Sequence, residues 1–190
     1  DKKTLIRIPM IALKTPLDIT DSSVTEEELM NAIITDYRIP EGVTKVESYA
    51  FDGNQAITSI SIPESVSVIG DLNDGKSIFN CYNCLTEINV AEGNSTFSSA
   101  DGVLFTKDKK TLLRYPNGRN AKTYSVPDGV TSIKNLAFDG DGSLTSITIP
   151  ASVTNIDTDA LKNNNKQLKT IYGTAGSYAE TWAKNNGYTF

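Results

Sequence analysis

A repeat of 23 residues is the feature that most constrains how this 190-residue chain can fold. Pro40 and Pro63 are 23 residues apart, and so are Pro127 and Pro150. In all four units a valine follows three residues after the proline, and a valine or isoleucine follows three residues later. These pairs are Val43 and Val46, Val66 and Ile69, Val130 and Ile133, and Val153 and Ile156. A unit of this length lies within the range of about 20 to 29 residues found in leucine-rich repeats.

Each unit also contains a short strand-like segment. In residues 144–149 (LTSITI), alternation directs Ile147 and Ile149 inward and Ser146 and Thr148 outward, because successive side chains of a strand point to opposite faces. One unit cannot bury its apolar side alone, whereas stacked neighbours cover one another. The sequence therefore predicts an α/β-type solenoid dominated by β and irregular structure, a right-handed leucine-rich repeat solenoid with short parallel strands. Its buried ladder is expected to be Ile39, Ile62, Val90, Val126 and Ile149.

Two segments depart from the period. The unit after Pro63 carries five extra residues, placed near 71–75. Residues 92–123 lack the valine pattern and instead read as strand, turn, strand, with apolar segments at 103–105 and 112–115. A Pro-Asn-Gly turn at 116–118 then reverses the chain. We interpret this stretch as a hairpin-bearing repeat inside one array of repeats that covers 37–172.

Both ends of the array are predicted to be caps, because an uncapped solenoid would expose its core. Residues 177–180 (SYAE) have the spacing of a capping box, followed by an amphipathic turn through Trp182 and a stop at Gly187. Residues 173–190 are thus expected to form a cap helix and tail. At the other end, residues 6–9 (IRIP) repeat the strand motif, and 25–34 predict a helix with Thr25 and Glu28 as its box. Residues 1–36 are interpreted as a degenerate first repeat and N-terminal cap.

The composition excludes several classes of function. The chain has no histidine, which removes the commonest general base and metal ligand and every Ser-His or Cys-His nucleophile pair. Its formal net charge of −5 argues against nucleic acid or an anionic membrane as a partner, since both favour clustered Lys and Arg. Apolar runs such as residues 10–13 fall far short of the ~18 residues that span a bilayer, so no membrane-spanning segment is predicted.

Three short motifs resemble functional sites but lack the context that those sites need. Residues 70–77 (GDLNDGKS) match the phosphate-loop pattern, yet they lie in the insertion, and two aspartates there would repel phosphate. Cys81 and Cys84 have redox spacing, but a turn is expected there instead of a helix N-terminus, which favours loop packing or an incidental disulfide. Residues 139–142 (DGDG) lack the further oxygen ligands of a calcium loop and are interpreted as a glycine-rich turn.

Two other patterns also have structural interpretations. The acidic run at 26–28 suits the first turn of a helix, where carboxylates interact favourably with the helix dipole. Residues 94–96 (NST) form a glycosylation sequon whose use depends on the host. Since no carboxylate pair or nucleophile constellation remains, neither an enzyme nor a cofactor or metal site is predicted.

The repeats resemble a known family. Residues 149–156 (IPASVTNI), the pair at 137–138 (AF) and residues 144–147 (LTSI) are similar to the BspA-like leucine-rich repeat family, also called the Treponema pallidum type. Residues 101–105 (DGVLF) with 115–116 (YP) resemble its hairpin variant, and 176–180 (GSYAE) resemble segments that end such proteins. The resemblance implies a secreted or surface-attached bacterial protein whose relatives are linked with adhesion to host or bacterial surfaces. It brings no catalytic residues.

The outward strand positions form the candidate binding surface. They are Arg38, Ser59, Ser61, Glu87, Asn89, Ser125, Ser146, Thr148 and Tyr172. Most of them are small and polar, unlike the aromatic and arginine anchors of binding hot spots, so they do not identify a ligand. The hairpin from Phe97 to Tyr115 is an equally good candidate.

These observations together predict a monomeric, non-catalytic adhesion or protein-binding module with a protein or cell-surface ligand and no cofactor. The alternative is a structural spacer in a larger surface protein, without a ligand of its own. The first residue is Asp1, so an export signal could have been removed. With the family resemblance, this favours an extracellular or cell-surface location.

Overall fold

The computed structural model describes residues 3–5, 35–70, 78–79, 81, 83–161 and 167–190. Within these ranges the chain forms fourteen short strands and one helix. The first six strands are β1 (Thr4–Leu5), β2 (Asp36–Arg38), β3 (Lys45–Val46), β4 (Ser59–Ile62), β5 (Val68–Ile69) and β6 (Glu87–Val90). The others are β7 (Phe97–Ala100), β8 (Val103–Thr106), β9 (Thr111–Arg114), β10 (Thr123–Ser125), β11 (Ser132–Ile133), β12 (Ser146–Ile149), β13 (Asn155–Ile156) and β14 (Thr170–Gly173), and the helix is α1 (Tyr178–Asn185).

Each complete repeat contributes two strands, where the sequence indicated one. A first strand such as β4 or β12 carries the predicted alternation, and a two-residue second strand such as β5 or β13 follows the Ile-Pro turn. The first strands form two parallel sheets, β2-β4-β6 and β10-β12-β14, which we call the front sheets. The second strands also pair in parallel, as β1-β3-β5 and β9-β11-β13. The predicted solenoid of short parallel strands is confirmed.

The register of the front sheets follows the repeat length. Tyr37 lies opposite Ile60 and Tyr124 lies opposite Ile147. A column of threonine hydroxyls shows the same spacing, because each donates to a carbonyl of the preceding repeat. Thr58 donates to Thr35 over 3.1 Å across 23 positions, whereas Thr86 donates to Thr58 over 2.9 Å across 28 positions. The step of 28 agrees with the five-residue insertion predicted between these two repeats.

An antiparallel meander replaces the repeat that lacks the valine pattern. Strands β8 and β9 correspond to the predicted hairpin, and β7 adds a further strand that pairs with β8. Strand β9 then pairs in parallel with β11, so the meander extends the layer of second strands. The hairpin-bearing repeat is therefore a continuous part of the solenoid.

Both faces of the meander are buried, since it separates two apolar clusters. Leu104 and Leu113 pack into the cluster built by the N-terminal repeats. Val103, Phe105 and Leu112 pack into the cluster built by the C-terminal repeats. The expected ladder lies within these clusters, fully buried at Ile39, Ile62, Val126 and Ile149 and partly buried at Val90.

A helix, α1, is present at the C-terminus where the sequence predicted one. The Ser177 hydroxyl accepts a hydrogen bond from the Glu180 amide over 3.4 Å, as the capping box requires. The Glu180 carboxylate accepts from the Gly176 amide over 2.6 Å, one residue earlier than in an ideal box. Lys184 donates to the same carboxylate over 2.6 Å, and these hydrogen bonds lower the pKa of Glu180. Trp182 packs into the C-terminal cluster.

Several predictions fall on residues that the structure does not describe. They concern the strand motif at 6–9, the helix at 25–34 with its box and acidic run, and the insertion near 71–75. Strand β1 lies directly before residues 6–9 in the chain. It pairs with β3, so it occupies the position of a second strand. Within the described ranges, no helix has the length and apolar character needed to cross a membrane.

Candidate binding face

The nine candidate residues all lie on the front sheets and align across neighbouring strands. In the N-terminal front sheet, Arg38 lies opposite Ser61, which lies opposite Asn89. In the C-terminal front sheet, Ser125, Thr148 and Tyr172 align in the same way. A second row on each sheet contains the remaining candidates and is completed by residues that sequence reasoning missed. These rows are Asp36, Ser59 and Glu87, and Thr123, Ser146 and Thr170.

Two of the nine candidates are buried, although the sequence placed them on an exposed surface. Ser59 is 9% exposed and Ser146 is 8% exposed. Each belongs to the middle strand of its sheet, so its short side chain has neighbouring strands on both sides. The available surface is therefore formed by the other seven residues, of which Ser61 is partly buried and six are exposed.

The two front sheets are separate, so the candidate face consists of two patches. The edge of β6 is closed by the meander, because the Ile88 amide donates to the Gly102 carbonyl over 2.8 Å and the Val90 amide donates to the Ser99 hydroxyl over 3.0 Å. Strand β10 pairs only with β12 among the described strands. The single outward column expected from the sequence is thus interrupted by the turn between β7 and β8.

An ion pair spans this interruption. Arg119 donates to the Asp101 carboxylate over 3.1 Å and to the Asp101 backbone carbonyl, and its guanidinium lies 5.4 Å from the centre of the Tyr115 ring. Arg119 and Asp101, together with Glu87 and Asn89, line a cleft of about 640 Å³ that we call the junction cleft. Sequence reasoning missed Arg119. The signal available in the sequence was the position of Arg119 directly after the Pro-Asn-Gly turn.

Two grooves cross the front sheets at the carboxyl ends of their strands. The N-terminal groove has a volume of about 340 Å³ and contains the row of Arg38, Ser61 and Asn89. The C-terminal groove has a volume of about 560 Å³ and contains the row of Ser125, Thr148 and Tyr172. The repeat places both grooves at equivalent positions, and they differ in volume and in the side chains that line them.

The buried charges behind the face have structural roles. Arg114 is fully buried, and its Nη1 donates to the Leu136 carbonyl over 2.9 Å. Burial lowers the pKa of Arg114 to about 10. The Asp141 carboxylate accepts from the amides of Ser143 and Leu144 over 2.8 Å each, which supports the interpretation of residues 139–142 as a turn. The described residues contain no group of three or more Cys, Asp or Glu side chains that could hold a metal ion.

The two cysteines do not form a redox site in this structure. Both are free thiols, and Cys81 is buried in the N-terminal cluster. Burial, together with the nearby Cys84, raises the pKa of Cys81 to about 12. A reactive thiol needs the opposite shift, because the thiolate is the nucleophile. The Cys84 thiol donates to the Asn54 carbonyl over 3.5 Å, in agreement with loop packing.

The asparagine of the glycosylation sequon is buried and engaged in hydrogen bonds within the fold. Asn94 is fully buried, and its side-chain nitrogen donates to the carbonyls of Pro63 and Val66 over 2.8 Å each. Its side-chain oxygen accepts from the amides of Thr96 and Phe97 over 2.9 and 2.8 Å. The folded chain therefore cannot present this amide for modification. The phosphate-loop motif continues into residues 71–77 and the acidic run lies at 26–28, both outside the described residues.

Comparison with known proteins agrees with this architecture. The family model of the BspA type leucine rich repeat region, in six copies, matches residues 22–106 and 115–178. No curated protein matches the chain. A similar solved structure is the pneumococcal vaccine antigen PcpA, with a TM-score of 0.60 and 24% identity over 70% of this chain and 32% of that chain.

Two further solved structures are similar. A leucine-rich repeat protein from Eubacterium ventriosum has a TM-score of 0.57 and 24% identity, over 74% of this chain and 42% of that chain. A leucine rich cell surface protein from Faecalibacterium prausnitzii has a TM-score of 0.53 and 28% identity, over 71% of this chain and 40% of that chain. The chain thus corresponds to between 32% and 42% of the length of these proteins.

Proposed function

Because the chain belongs to the BspA-type leucine-rich repeat family, we propose that it is a non-catalytic binding module of a bacterial surface protein. Its front sheets hold a protein or another cell-surface ligand. A relative named as a leucine rich cell surface protein supports an extracellular location for this chain as well. The greater length of the similar proteins supports a role as one module of a larger chain.

One observation carries this proposal. Exposed side chains of both front sheets stand in register on strands whose backbones are fixed by the neighbouring repeats. Asn94 and Asp141, two of the buried polar side chains, form hydrogen bonds that hold turns and neighbouring repeats together. A surface that is already ordered loses little conformational entropy when a partner binds. This arrangement suits recognition, whereas catalysis would need titratable groups collected in a pocket.

Arginine scanning of the front sheets tests the proposal. The protein would be screened against immobilised host-matrix proteins and against intact host and bacterial cells, and its best ligand measured by biolayer interferometry. Asn89→Arg and Thr148→Arg place a large cation on the N-terminal and C-terminal patches, respectively. We expect at least one of them to weaken binding roughly tenfold or more, because an unmatched charge and a steric obstacle enter the interface.

The matched control is Val68→Arg. Val68 lies on β5, a second strand outside the front sheets, and it is 42% exposed, so it accepts arginine without loss of core packing. This variant should bind as the unmodified protein does. If no ligand binds the unmodified protein, or if all three variants bind equally well, the proposal is wrong and the spacer alternative gains support.

A further inference from the structure

The two front grooves share one architecture but differ in several side chains, among them an exposed tyrosine in the C-terminal groove. Tyr172 in the C-terminal groove occupies the row position that Asn89 holds in the N-terminal groove. Tyr172 is 56% exposed, so most of its ring is available to a ligand. It aligns with the hydroxyl-bearing residues Thr148 and Ser125, and the Asp128 carboxylate lines the same groove.

The charges of the two grooves differ as well. The N-terminal groove contains Arg38 and Glu41 and can therefore contact groups of either sign. Among the described residues that line the C-terminal groove there is no lysine or arginine, and Asp128 is the single charged side chain. Within this set of residues, a sulfated or phosphorylated ligand would meet no cation. A strongly basic ligand would meet one carboxylate only.

The strand that carries Tyr172 is held on both edges. Strand β14 pairs with β12 on one side, and on the other the Ile171 amide donates to the Thr189 carbonyl over 2.8 Å. The C-terminal tail thus completes the sheet beneath the tyrosine. The tyrosine is therefore carried by an ordered backbone before any ligand arrives, which reduces the entropic cost of binding.

We propose that the C-terminal groove binds a neutral saccharide. The flat face of a pyranose ring packs its C–H groups on an aromatic ring, whose face carries partial negative charge. The sugar hydroxyls both donate and accept, which matches a carboxylate acceptor beside serine and threonine hydroxyls. The volume of about 560 Å³ lies within the range of small-ligand sites, about 300–1,000 Å³. This inference rests on the proposed function, since it names the ligand class for one patch of the front sheets.

Saturation-transfer NMR and isothermal titration with neutral oligosaccharides test the assignment, using glucose-, galactose-, mannose- and N-acetylglucosamine-terminated probes. The unmodified protein should bind at least one neutral probe. Tyr172→Ala should weaken that binding at least roughly tenfold, and Asp128→Asn should weaken it measurably. Tyr172→Phe should retain most of it, because the ring face remains. Sialylated and sulfated versions of the same probes should bind more weakly.

The control for the aromatic ring is Tyr49→Ala, because Tyr49 is 45% exposed and lies outside the front sheets. Thermal unfolding of each variant verifies that the fold is retained. The assignment is wrong if no neutral probe binds, if Tyr172→Ala binds as well as the unmodified protein, or if the charged probes bind better.

Failure of this assignment is distinguishable from failure of the proposed function. If the protein captures cells or matrix proteins, and Asn89→Arg or Thr148→Arg abolishes this capture, the front sheets bind a ligand whatever its class. Enzymatic removal of glycans from the captured cells then decides between the classes. Capture that survives this treatment overturns the saccharide assignment, while capture that is lost supports it.

Discussion

A Cβ atom placed on Gly102 would lie 2.9 Å from the Cβ of Glu87 and 3.2 Å from its Cα. The turn between β7 and β8 therefore lies directly against the backbone of β6. Gly102 also has a φ of +69°, in the left-handed region that favours glycine. Its carbonyl accepts the hydrogen bond from Ile88 that closes the edge of the N-terminal front sheet. This contact fixes the point at which the candidate face is interrupted.

We therefore expect Gly102→Ala to lower the free energy of unfolding by about 1–3 kcal/mol, from backbone strain and the clash with Glu87. Gly53→Ala is the matched control. Gly53 has a φ of +75°, but nothing lies within 4 Å of a Cβ built there, so it reports the strain without the clash. Urea unfolding followed by circular dichroism measures both. Equal losses for the two variants would show that the contact with Glu87 contributes nothing.

Replacement of Asn94 tests the buried amide that links two repeats. Asn94→Ala removes four hydrogen bonds and leaves the buried Phe97 amide without its acceptor. The expected loss is about 2–4 kcal/mol in the free energy of unfolding, because unsatisfied buried polar groups retain their desolvation cost. Asn120→Ala, at an exposed position of the loop before β10, should change it by less than about 0.5 kcal/mol. A small effect at Asn94 would contradict its assigned role.

The stability of the protein should fall at alkaline pH because of Cys81. Burial raises the pKa of this thiol from 9.0 to about 12. Between these values the native state binds more protons than the unfolded state, so the free energy of unfolding decreases as the pH rises. We expect a loss of about 1 kcal/mol between about pH 9 and 10, measured by urea unfolding under reducing conditions.

Two variants separate this contribution from others. Cys81→Ala should reduce the slope between about pH 9 and 10, and the remaining slope there includes Cys84, because burial raises the pKa of that thiol as well. Tyr115→Phe should change it much less, because the pKa of Tyr115 is raised from 10.0 to about 12 and most of its contribution lies above about pH 10. Arg114, whose pKa is lowered, contributes the opposite slope only above about pH 10. An unchanged slope in Cys81→Ala would show that the thiol is not the source.

The cap of α1 provides a prediction for the C-terminus. Ser177→Ala removes the hydroxyl that accepts from the Glu180 amide, which should cost about 0.5–2 kcal/mol. Thr181→Ala is the control, because Thr181 is exposed within the helix and alanine has the higher helix propensity. It should be neutral or slightly stabilising. A thermal melt compares the two, and a loss in Thr181→Ala as large as in Ser177→Ala would mean that capping is not the cause.

The parts of the fold that were predictable depend on local or periodic signals. The inward positions of Ile62 and Ile149 follow from strand alternation combined with the repeat, and both are buried. The hairpin and the C-terminal capping box are encoded within short segments, and both are present. Within the described residues, the features that depend on short segments or on the repeat period are therefore the ones that the sequence predicted correctly.

The candidate site was less predictable because its exposure depends on contacts across repeats. Ser59 and Ser146 have outward positions, yet their burial results from neighbouring strands at least 23 residues away. The interruption of the face arises where Gly102 meets Ile88, and no periodic pattern specifies this contact. The pairing of Arg119 with Asp101 across the junction cleft has the same origin.

The meander has a consequence for how this protein denatures. Linear repeat arrays generally lose order from their ends, since each unit depends only on its neighbours. Here the meander contributes Leu104 to the N-terminal cluster and Phe105 to the C-terminal cluster. Unfolding of either cluster would expose one apolar face of the meander to water. We therefore expect the two halves of the solenoid to unfold together as one cooperative unit, and not turn by turn from the ends.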